Sequence, residues 1–486
     1  MKTKNVDMLN GSLFKSVLIF SVPTIVSNLL SMLFNAADMI VLGIFCGSKY
    51  VGAVGATGSL VALIVNFFIG LSNGSGVVTA QAFGSGVQKN LERTVNTVIP
   101  TAFASGVLLT VLGLVFAKDL LVIMGTPADL IGYSTVYLRI YFCGIILRMI
   151  YVFSASVLRA VGDSQSPMIY LSIGGLLNVI FNLFFVLVLD MTVDGVAYGT
   201  IISEGISGLL CLRALMKRTD AAKFSFKKMC FDLKVVKSIF AIGLPAGIQS
   251  SMFSISNVLV QSSVNSFGSV VVTGNSAASN ISNFTAVTTS AFSITAGTFM
   301  GQNIGAKKYD RVKQLPRICL MWMFVVSFPI SLLSRVFAHP LLSFYISDSP
   351  AALEVGVTRL TLVTLTYVLC GVFDVYTGLM RGIGKSVSSM IVAISTACVF
   401  RTLYLKTLFM IPQIHTIEWL YAVYPASWIL ADIADVILFR RGLRKKIALA
   451  NFKREQAEGS RRLHMERLAE KQNAENAPKE ETAILS

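Results

Sequence analysis

The sequence predicts an all-α membrane protein with twelve transmembrane helices in two six-helix lobes, and three observations support that fold class. Hydrophobic residues make up 54% of the 486 residues and charged residues only 14%, whereas a soluble domain carries about 25% charged residues. The apolar residues are grouped in runs of about 20 or more, which is the length that crosses a bilayer. The second half of the chain also repeats the first, which predicts two lobes related by an internal repeat.

The twelve spans are predicted from the apolar runs and from the polar loops between them. In the first run, residues 20–45, Asp38 is the only charged residue. An acidic side chain inside a membrane helix is costly, so it usually faces a bundle interior or a watery cavity; the alternative is an interfacial Asp at a frayed helix end. The spans are placed at 17–45, 52–82, 95–117, 132–158, 167–189, 193–217, 236–265, 270–300, 316–338, 355–380, 387–410 and 416–439.

The internal repeat sets the predicted domain boundaries. Three separated pairs of segments match at an offset of 221 or 222 residues: 15–23 with 237–245, 80–84 with 301–305, and 158–164 with 380–386. Six spans in each half give both halves the same orientation, so the cleft between them is the expected substrate site. The prediction is an N-terminal six-helix lobe (1–216), a cytoplasmic inter-lobe loop (217–236), a C-terminal six-helix lobe (237–440) and a charged cytoplasmic tail (441–486).

The distribution of the basic residues indicates how the chain is oriented in the membrane and does not indicate nucleic-acid binding. Of the 41 Lys and Arg, 33 lie in the N-terminus, in alternate loops and in the C-terminal tail; four lie in the opposite loops and four within spans. The positive-inside rule then places both termini in the cytoplasm of a multi-pass protein of the cell membrane. The seven cysteines contain no CxxC pair and the three histidines are scattered, so neither a metal centre nor a His-based catalytic centre is expected.

Several motifs together resemble one transporter family. Residues 159–167 (RAVGDSQSP) are similar to the RAxGDxxxP loop of the multidrug and toxic compound extrusion (MATE) transporters. The segments 80–84 and 301–305 resemble that family's AQxxG turn after helices two and eight, and residues 35–38 resemble its first-helix acidic motif. The motif residues are Gln81, Gly84, Arg159, Gly162, Asp163, Gln302, Gly305, Arg381 and Gly384.

The resemblance implies a secondary active antiporter. Such a protein exports small organic, often cationic, compounds in exchange for Na⁺ or H⁺ as two lobes rock around a central cleft. It implies no cofactor beyond the coupling ion, no enzymatic activity, and small-molecule substrates and the lipid bilayer as partners; a monomer is expected. The alternative is a flippase or exporter of lipid-linked oligosaccharide or another amphiphile. No HExxH or GxSxG motif supports an enzyme.

The resemblance also implies a cation site in the first lobe. The matching positions here are Asp38, Asn178, Asn182 and Thr200. Rise counting places Asp38, Asn182 and Thr200 at one depth, about 10 Å from the outer end of their spans. The chain departs from the family at Asn182, where an Asp is frequent, but amide oxygens also coordinate Na⁺. Interhelical hydrogen bonding is the alternative role for the two asparagines.

Other intramembrane charges require partners. Asp374 in the tenth span is predicted as a second-lobe site, because acidic residues on that helix handle cations or substrates in part of the family. Glu204 is predicted either as an accessory group of the first-lobe cavity or as an ion-pair partner of Arg148 or Arg139. Asp432 and Asp435 are expected near the cytoplasmic end of the twelfth span, within reach of interfacial water.

Overall fold

The computed structural model describes residues 5–346 and 349–475, and this part of the chain contains helices and no strands. A π-helical turn at Leu42–Cys46 extends the first helix, and a short helix, Ala338–Ser343, precedes the tenth. The membrane helices are α1 (Leu13–Val41), α2 (Ser48–Gly84), α3 (Gln88–Ile123), α4 (Ile131–Ala160), α5 (Gln165–Leu187), α6 (Val193–Met216), α7 (Leu233–Asn265), α8 (Ser269–Gly305), α9 (Tyr309–Val336), α10 (Pro350–Gly382, interrupted after Thr364), α11 (Ser386–Met410) and α12 (Ile417–Glu475).

The predicted twelve-helix fold is confirmed, but one helix differs from the others. Eleven of the helices in the described part of the chain combine the length and the hydropathy of a membrane span. The exception is α8, which has 37 residues but is rich in Ser, Thr and Asn. It packs against α1, α2, α9 and α10, and hydroxyls such as those of Thr288 and Thr295 donate to the carbonyl one turn earlier. An interior position removes the need for an apolar surface.

The chain divides into two compact units, Met1–Ile437 and Leu438–Ser486. The first unit holds both halves of the repeat. A large apolar cluster lies mainly in the first half and includes the fully buried Phe142, Met149 and Phe153, with Ile239 joining it from the second half. In the second unit the helix continues to Glu475, and residues 476–486 of the predicted tail lie outside the described residues.

The second half begins at a helix cap formed in the inter-lobe loop. Asp232 accepts from the backbone N–H of Lys234 at 2.8 Å at the start of α7, and this hydrogen bond is the main cause that lowers the pKa of its carboxyl group. Its second oxygen lies 3.3 Å from Nη1 of Arg93 on α3. Capping and the ion pair together fix the start of the second half against the first.

The two halves meet along α2 and α7, where each helix carries a GxxxG pair. An ideal Cβ at Gly70 would lie 2.4 Å from the Cα of Gly247, and one at Gly74 would lie 2.6 Å from the Cα of Gly243. Small residues at this spacing let two membrane helices approach until their backbones touch. The glycine pairs therefore set the distance between the halves at this crossing.

Replacing Gly70 by Ala is expected to destabilise the protein. The added methyl group has no space against the α7 backbone, and overpacking of this kind costs about 1–3 kcal/mol. The midpoint of thermal unfolding in detergent, followed by intrinsic fluorescence, measures the effect. Gly58→Ala is the matched control because it lies on the same helix and a Cβ there meets nothing within 4 Å. Equal midpoints for the two variants would contradict the close packing.

Candidate functional site

Asp38 lies near the end of α1, with only 7% of its surface exposed. Asn182 of α5 donates from Nδ2 to Asp38 Oδ1 at 2.6 Å, and Thr200 of α6 donates from Oγ1 to Asp38 Oδ2 at 3.2 Å. Charge-assisted hydrogen bonds to both oxygens offset the cost of burying the carboxylate. Three helices therefore meet at Asp38.

Asn178 joins the same group from one turn earlier on α5. Its Nδ2 lies 3.4 Å from Thr200 Oγ1 and donates to it. The side-chain oxygens of Asn178 and Asn182 are buried and have no hydrogen-bond partner among residues 5–346 and 349–475. Gly199 provides the room for Asn182, because an ideal Cβ there would lie 2.1 Å from Asn182 Oδ1. Two amide oxygens without donors beside a carboxylate are ligands that suit a hard cation.

A cavity of about 60 Å³ opens beside these residues. Its volume accommodates a few water-sized groups. Polar groups from four helices line it, including Ser31 and Asn35 of α1 and Ser203 of α6. Asp38 therefore faces a polar cavity within the first lobe, and it does not lie at a frayed helix end.

Glu204 lies on the wall of the same cavity, in an ion pair with Arg148 of α4. The sequence left Arg148 and Arg139 open as partners, and the structure pairs Glu204 with Arg148. The two side chains are 22% and 23% exposed, so cavity water reaches both.

Replacing Glu204 by Gln is expected to destabilise the protein by about 3 kcal/mol, because it leaves the Arg148 charge unpaired inside the bundle; water in the cavity reduces the cost. The double variant Arg148→Gln/Glu204→Gln is expected to recover at least half of the lost stability. The unfolding midpoints of the single and double variants measure this coupling. A double variant that is no more stable than Glu204→Gln would mean that the pair is not what stabilises this region.

The acidic residues of the second half form a separate group. Asp374 is half-buried on α10, within hydrogen-bonding reach of Thr289 on α8, and it does not line the cavity beside Asp38. Asp435 has no exposed surface, and neither of its carboxylate oxygens has a hydrogen-bond partner in the described part of the chain. In that same part, no three His, Cys, Asp or Glu side chains are arranged to hold a metal ion.

The expectation that Asp435 reaches interfacial water is wrong. Asp435 lies on the side of α12 that faces Thr377 and Arg381 of α10. Counting helical rise gives a residue's depth but not the face on which it lies, so the sequence could not place this side chain. Asp432, one turn earlier, is half-buried, and its Oδ1 is also buried without a partner among the described residues.

The motif glutamines make two hydrogen bonds between the halves. Gln81, at the end of α2, donates from Nε2 to the Gly382 carbonyl at the end of α10, at 2.9 Å. Gln302, at the end of α8, donates from Nε2 to the Ala160 carbonyl at the end of α4, at 2.7 Å. We call these two hydrogen bonds the glutamine latches, and the end of the bundle at which these four helices finish the basic end.

The motif glycines make the latches possible. An ideal Cβ at Gly84 would lie 2.0 Å from the Gln302 carbonyl oxygen, and one at Gly305 would lie 2.2 Å from that of Gln81. Only glycine lets the ends of α2 and α8 cross at this distance. The sequence identified these residues as motifs but missed their pairing. The repeat contains the signal, because it relates Gln81 to Gln302 and Ala160 to Gly382.

The remaining motif residues shape the turns that follow α4 and α10. Gly162 and Gly384 have φ values of +96° and +82°, a conformation that favours glycine. Asp163 accepts from the Ser166 backbone N–H at 2.9 Å and from its hydroxyl at 2.6 Å, which fixes the start of α5. Arg159 and Arg381, which precede the latch carbonyls, both line a small cavity between the halves.

A helical membrane bundle built from two repeated halves, with a buried carboxylate facing a polar cavity and matched contacts between the halves at one end, has the architecture of a two-lobed transporter. The MatE family model matches residues 23–184 and 245–405. Its two segments start 222 residues apart, which is the offset of the internal repeat. The chain belongs to the MatE family, the multidrug and toxic compound extrusion transporters.

Curated relatives and solved structures agree with this family. The chain is 29% identical to the probable multidrug resistance protein YoeA of Bacillus subtilis over 79% of this chain and 84% of that protein. It is 27% identical to the probable multidrug resistance protein YpnP of the same organism, over 82% and 89%. In fold it is similar to the Vibrio cholerae MATE transporter VcmN in the bent form, with a TM-score of 0.81, 21% identity, and coverage of 89% of this chain and 98% of that chain.

Proposed function

We propose that this protein exports small organic compounds in exchange for Na⁺ or H⁺, and that Asp38 is the carboxylate that binds the coupling cation. The arrangement around Asp38 is the observation that carries the proposal. The buried carboxylate of Asp38, the Asn178 amide and the Thr200 hydroxyl line a polar cavity, and Asn182 donates to the carboxylate from outside the cavity lining. The relatives named as multidrug resistance proteins support small organic substrates.

The negative charge of Asp38 explains how cation binding is coupled to substrate transport. When a cation occupies the cavity, it neutralises Asp38 and is also coordinated by the unpaired Asn178 oxygen. When the cation leaves, the carboxylate is again negative and attracts a cationic substrate into the same lobe. Cation and substrate therefore compete, and the two are carried in opposite directions. Glu204 acts in this scheme as an accessory group on the cavity wall, and Asp374 as a second site in the other lobe.

The glutamine latches support a state that is closed at the basic end. The loops at this end carry most of the Lys and Arg residues, so the positive-inside rule makes it the cytoplasmic end and places both termini in the cytoplasm. Rocking of the lobes 1–216 and 237–440 would break both latches and open the cleft to the cytoplasm. Since each latch ties the end of one lobe to a carbonyl of the other, both open together.

The test is transport by the purified protein in liposomes that enclose DNA, where ethidium entry raises fluorescence. Molecules whose basic end faces outward take ethidium in when the cation gradient is directed outward. We expect entry under an outward Na⁺ gradient or an outward proton gradient, and the effective gradient identifies the ion. Entry under neither gradient, with monodisperse protein, overturns the proposal.

The alternative function is movement of an amphiphile, such as a lipid-linked oligosaccharide. An apolar pocket of about 320 Å³, lined mainly by α2 and α3 with Phe67, Phe68 and Phe116 among its residues, favours it. Loss of fluorescence of a labelled anionic lipid on addition of dithionite, in liposomes that take up no ethidium, would support the alternative.

A further inference from the structure

A small cavity lies between the two lobes, directly next to the glutamine latches. It has a volume of about 20 Å³ and is lined by α2, α4, α8 and α10. Its polar lining consists of Asn73, Ser156, Arg159, Ser293, Thr298 and Arg381, and no acidic residue contributes to it. Arg159 belongs to the first lobe and Arg381 to the second, at equivalent positions of the repeat.

Neither guanidinium is neutralised by an ion pair. Within residues 5–346 and 349–475, neither lies within 4.0 Å of a carboxylate oxygen. In the same range Arg159 forms no side-chain hydrogen bond, and its nearest ionisable neighbours include Tyr151 and Cys211 rather than an acidic residue.

The Arg381 guanidinium forms one side-chain hydrogen bond that Arg159 lacks, but not all of its N–H groups have partners. Its Nη2 donates to Gln249 Oε1 at 3.1 Å, while its buried Nε has no partner among the described residues. The charges of Asp374 and Asp435 act on it from a greater distance. Both of these acids lie outside the cavity, so the space between the two arginines stays positive.

Arg159 and Arg381 are half-buried, and two positive charges that face one small cavity repel each other. A half-buried charge without a counter-ion also costs free energy. An anion between the two guanidiniums would relieve both costs. Space for only one or two water-sized groups excludes an organic cargo or a lipid headgroup, and it suits a single halide ion.

We propose that this cavity is a binding site for a small monovalent anion of the chloride type, held by Arg159 of one lobe and Arg381 of the other. The segments that carry these arginines also carry the latch carbonyls of Ala160 and Gly382. The site is therefore complete only while the latches are formed. A bound anion stabilises the state that is closed at the basic end, and the site is independent of the cation site at Asp38.

The experiment compares unfolding midpoints of the purified full-length protein in sodium chloride and in sodium gluconate at equal ionic strength. We expect chloride to raise the midpoint by about 2 °C or more in a saturable manner, and gluconate, which exceeds the cavity, to have no such effect. Arg159→Gln and Arg381→Gln are expected to lose the chloride response. Arg317→Gln, an exposed arginine on α9, is the control and is expected to keep it.

A second measurement needs no variant of a buried residue. Saturable broadening of the chloride-35 NMR line by wild-type protein, reversed by bromide, is expected. Equal midpoints of wild type in chloride and gluconate overturn the proposal. So does an unchanged chloride response in Arg159→Gln, or the absence of line broadening.

Discussion

Asp38→Asn is expected to abolish cation-driven ethidium transport while leaving the protein folded. The amide has nearly the shape of the carboxylate: its oxygen can still accept from Asn182 Nδ2, and its NH2 group can donate to the Thr200 hydroxyl, but it has no charge. At an effective dielectric constant of about 20, a unit charge 4 Å away contributes about 4 kcal/mol, so cation affinity should fall roughly 500- to 1,000-fold. The liposome assay measures transport, and size-exclusion chromatography measures folding.

The matched control for this variant is Asp129→Asn, which removes an exposed carboxylate in the loop between α3 and α4 and should transport like wild type. Asp38→Glu keeps the charge but extends into the polar cavity, so it should retain partial activity. Full activity of Asp38→Asn would contradict the assignment, and it would direct attention to Asp374 as the coupling carboxylate.

Removing both glutamine latches with Gln81→Ala and Gln302→Ala is expected to open the basic end. Each neutral hydrogen bond contributes about 1 kcal/mol net, so the double variant should shift the equilibrium towards opening by roughly 30-fold. The measurement is the distance distribution between spin labels on Lys89→Cys and Lys313→Cys, in a background where the exposed Cys143 and Cys230 are replaced by Ser. We expect a longer-distance population to grow.

The control for the latches is Gln88→Ala with Gln314→Ala, a pair of exposed glutamines in the first turn of α3 and the second turn of α9. This pair should leave the distance distribution unchanged. Because the two latches are related by the repeat, each single variant should produce an intermediate shift. Identical distributions for the latch variant and the control would mean that the latches do not hold the closed state.

The hydrophobic pattern and the internal repeat were sufficient to predict most of the fold from the sequence. The span at 270–300 was predicted from the apolar residues between polar loops, although α8 is too polar to meet the hydropathy of the other eleven spans. Its small polar side chains bond to their own helix and face protein on most sides. A local measure of hydrophobicity assumes lipid contact, and an interior helix violates that assumption.

For the candidate site, helical rise and periodicity could predict the depth of each residue in the membrane and which residues of one helix share a face, but not the contacts between helices. Counting rise put Asp38, Asn182 and Thr200 at one level, and the i, i+4 spacing put Asn178 on the same face as Asn182. The choice of Arg148 over Arg139 for Glu204 depends on how α4 and α6 are rotated against each other. That rotation is set by side-chain packing over the whole interface, which no local pattern encodes.

The sequence by itself determined the class of protein, the two equivalent halves and the family motifs, because composition and repetition can be read along the chain without knowing its fold. The resemblance to the family supplied the candidate residues around Asp38. Only the tertiary structure decided that Gln81 and Gln302 bind the opposite lobe, that Arg159 and Arg381 face one cavity, and that Asp435 is buried. The first two features depend on the contact between two lobes whose matching residues lie 222 positions apart, and the burial of Asp435 depends on how α12 packs against α10. The identity of the partner atoms is fixed by helix crossing and rotation, and these follow from the packing of the folded chain as a whole.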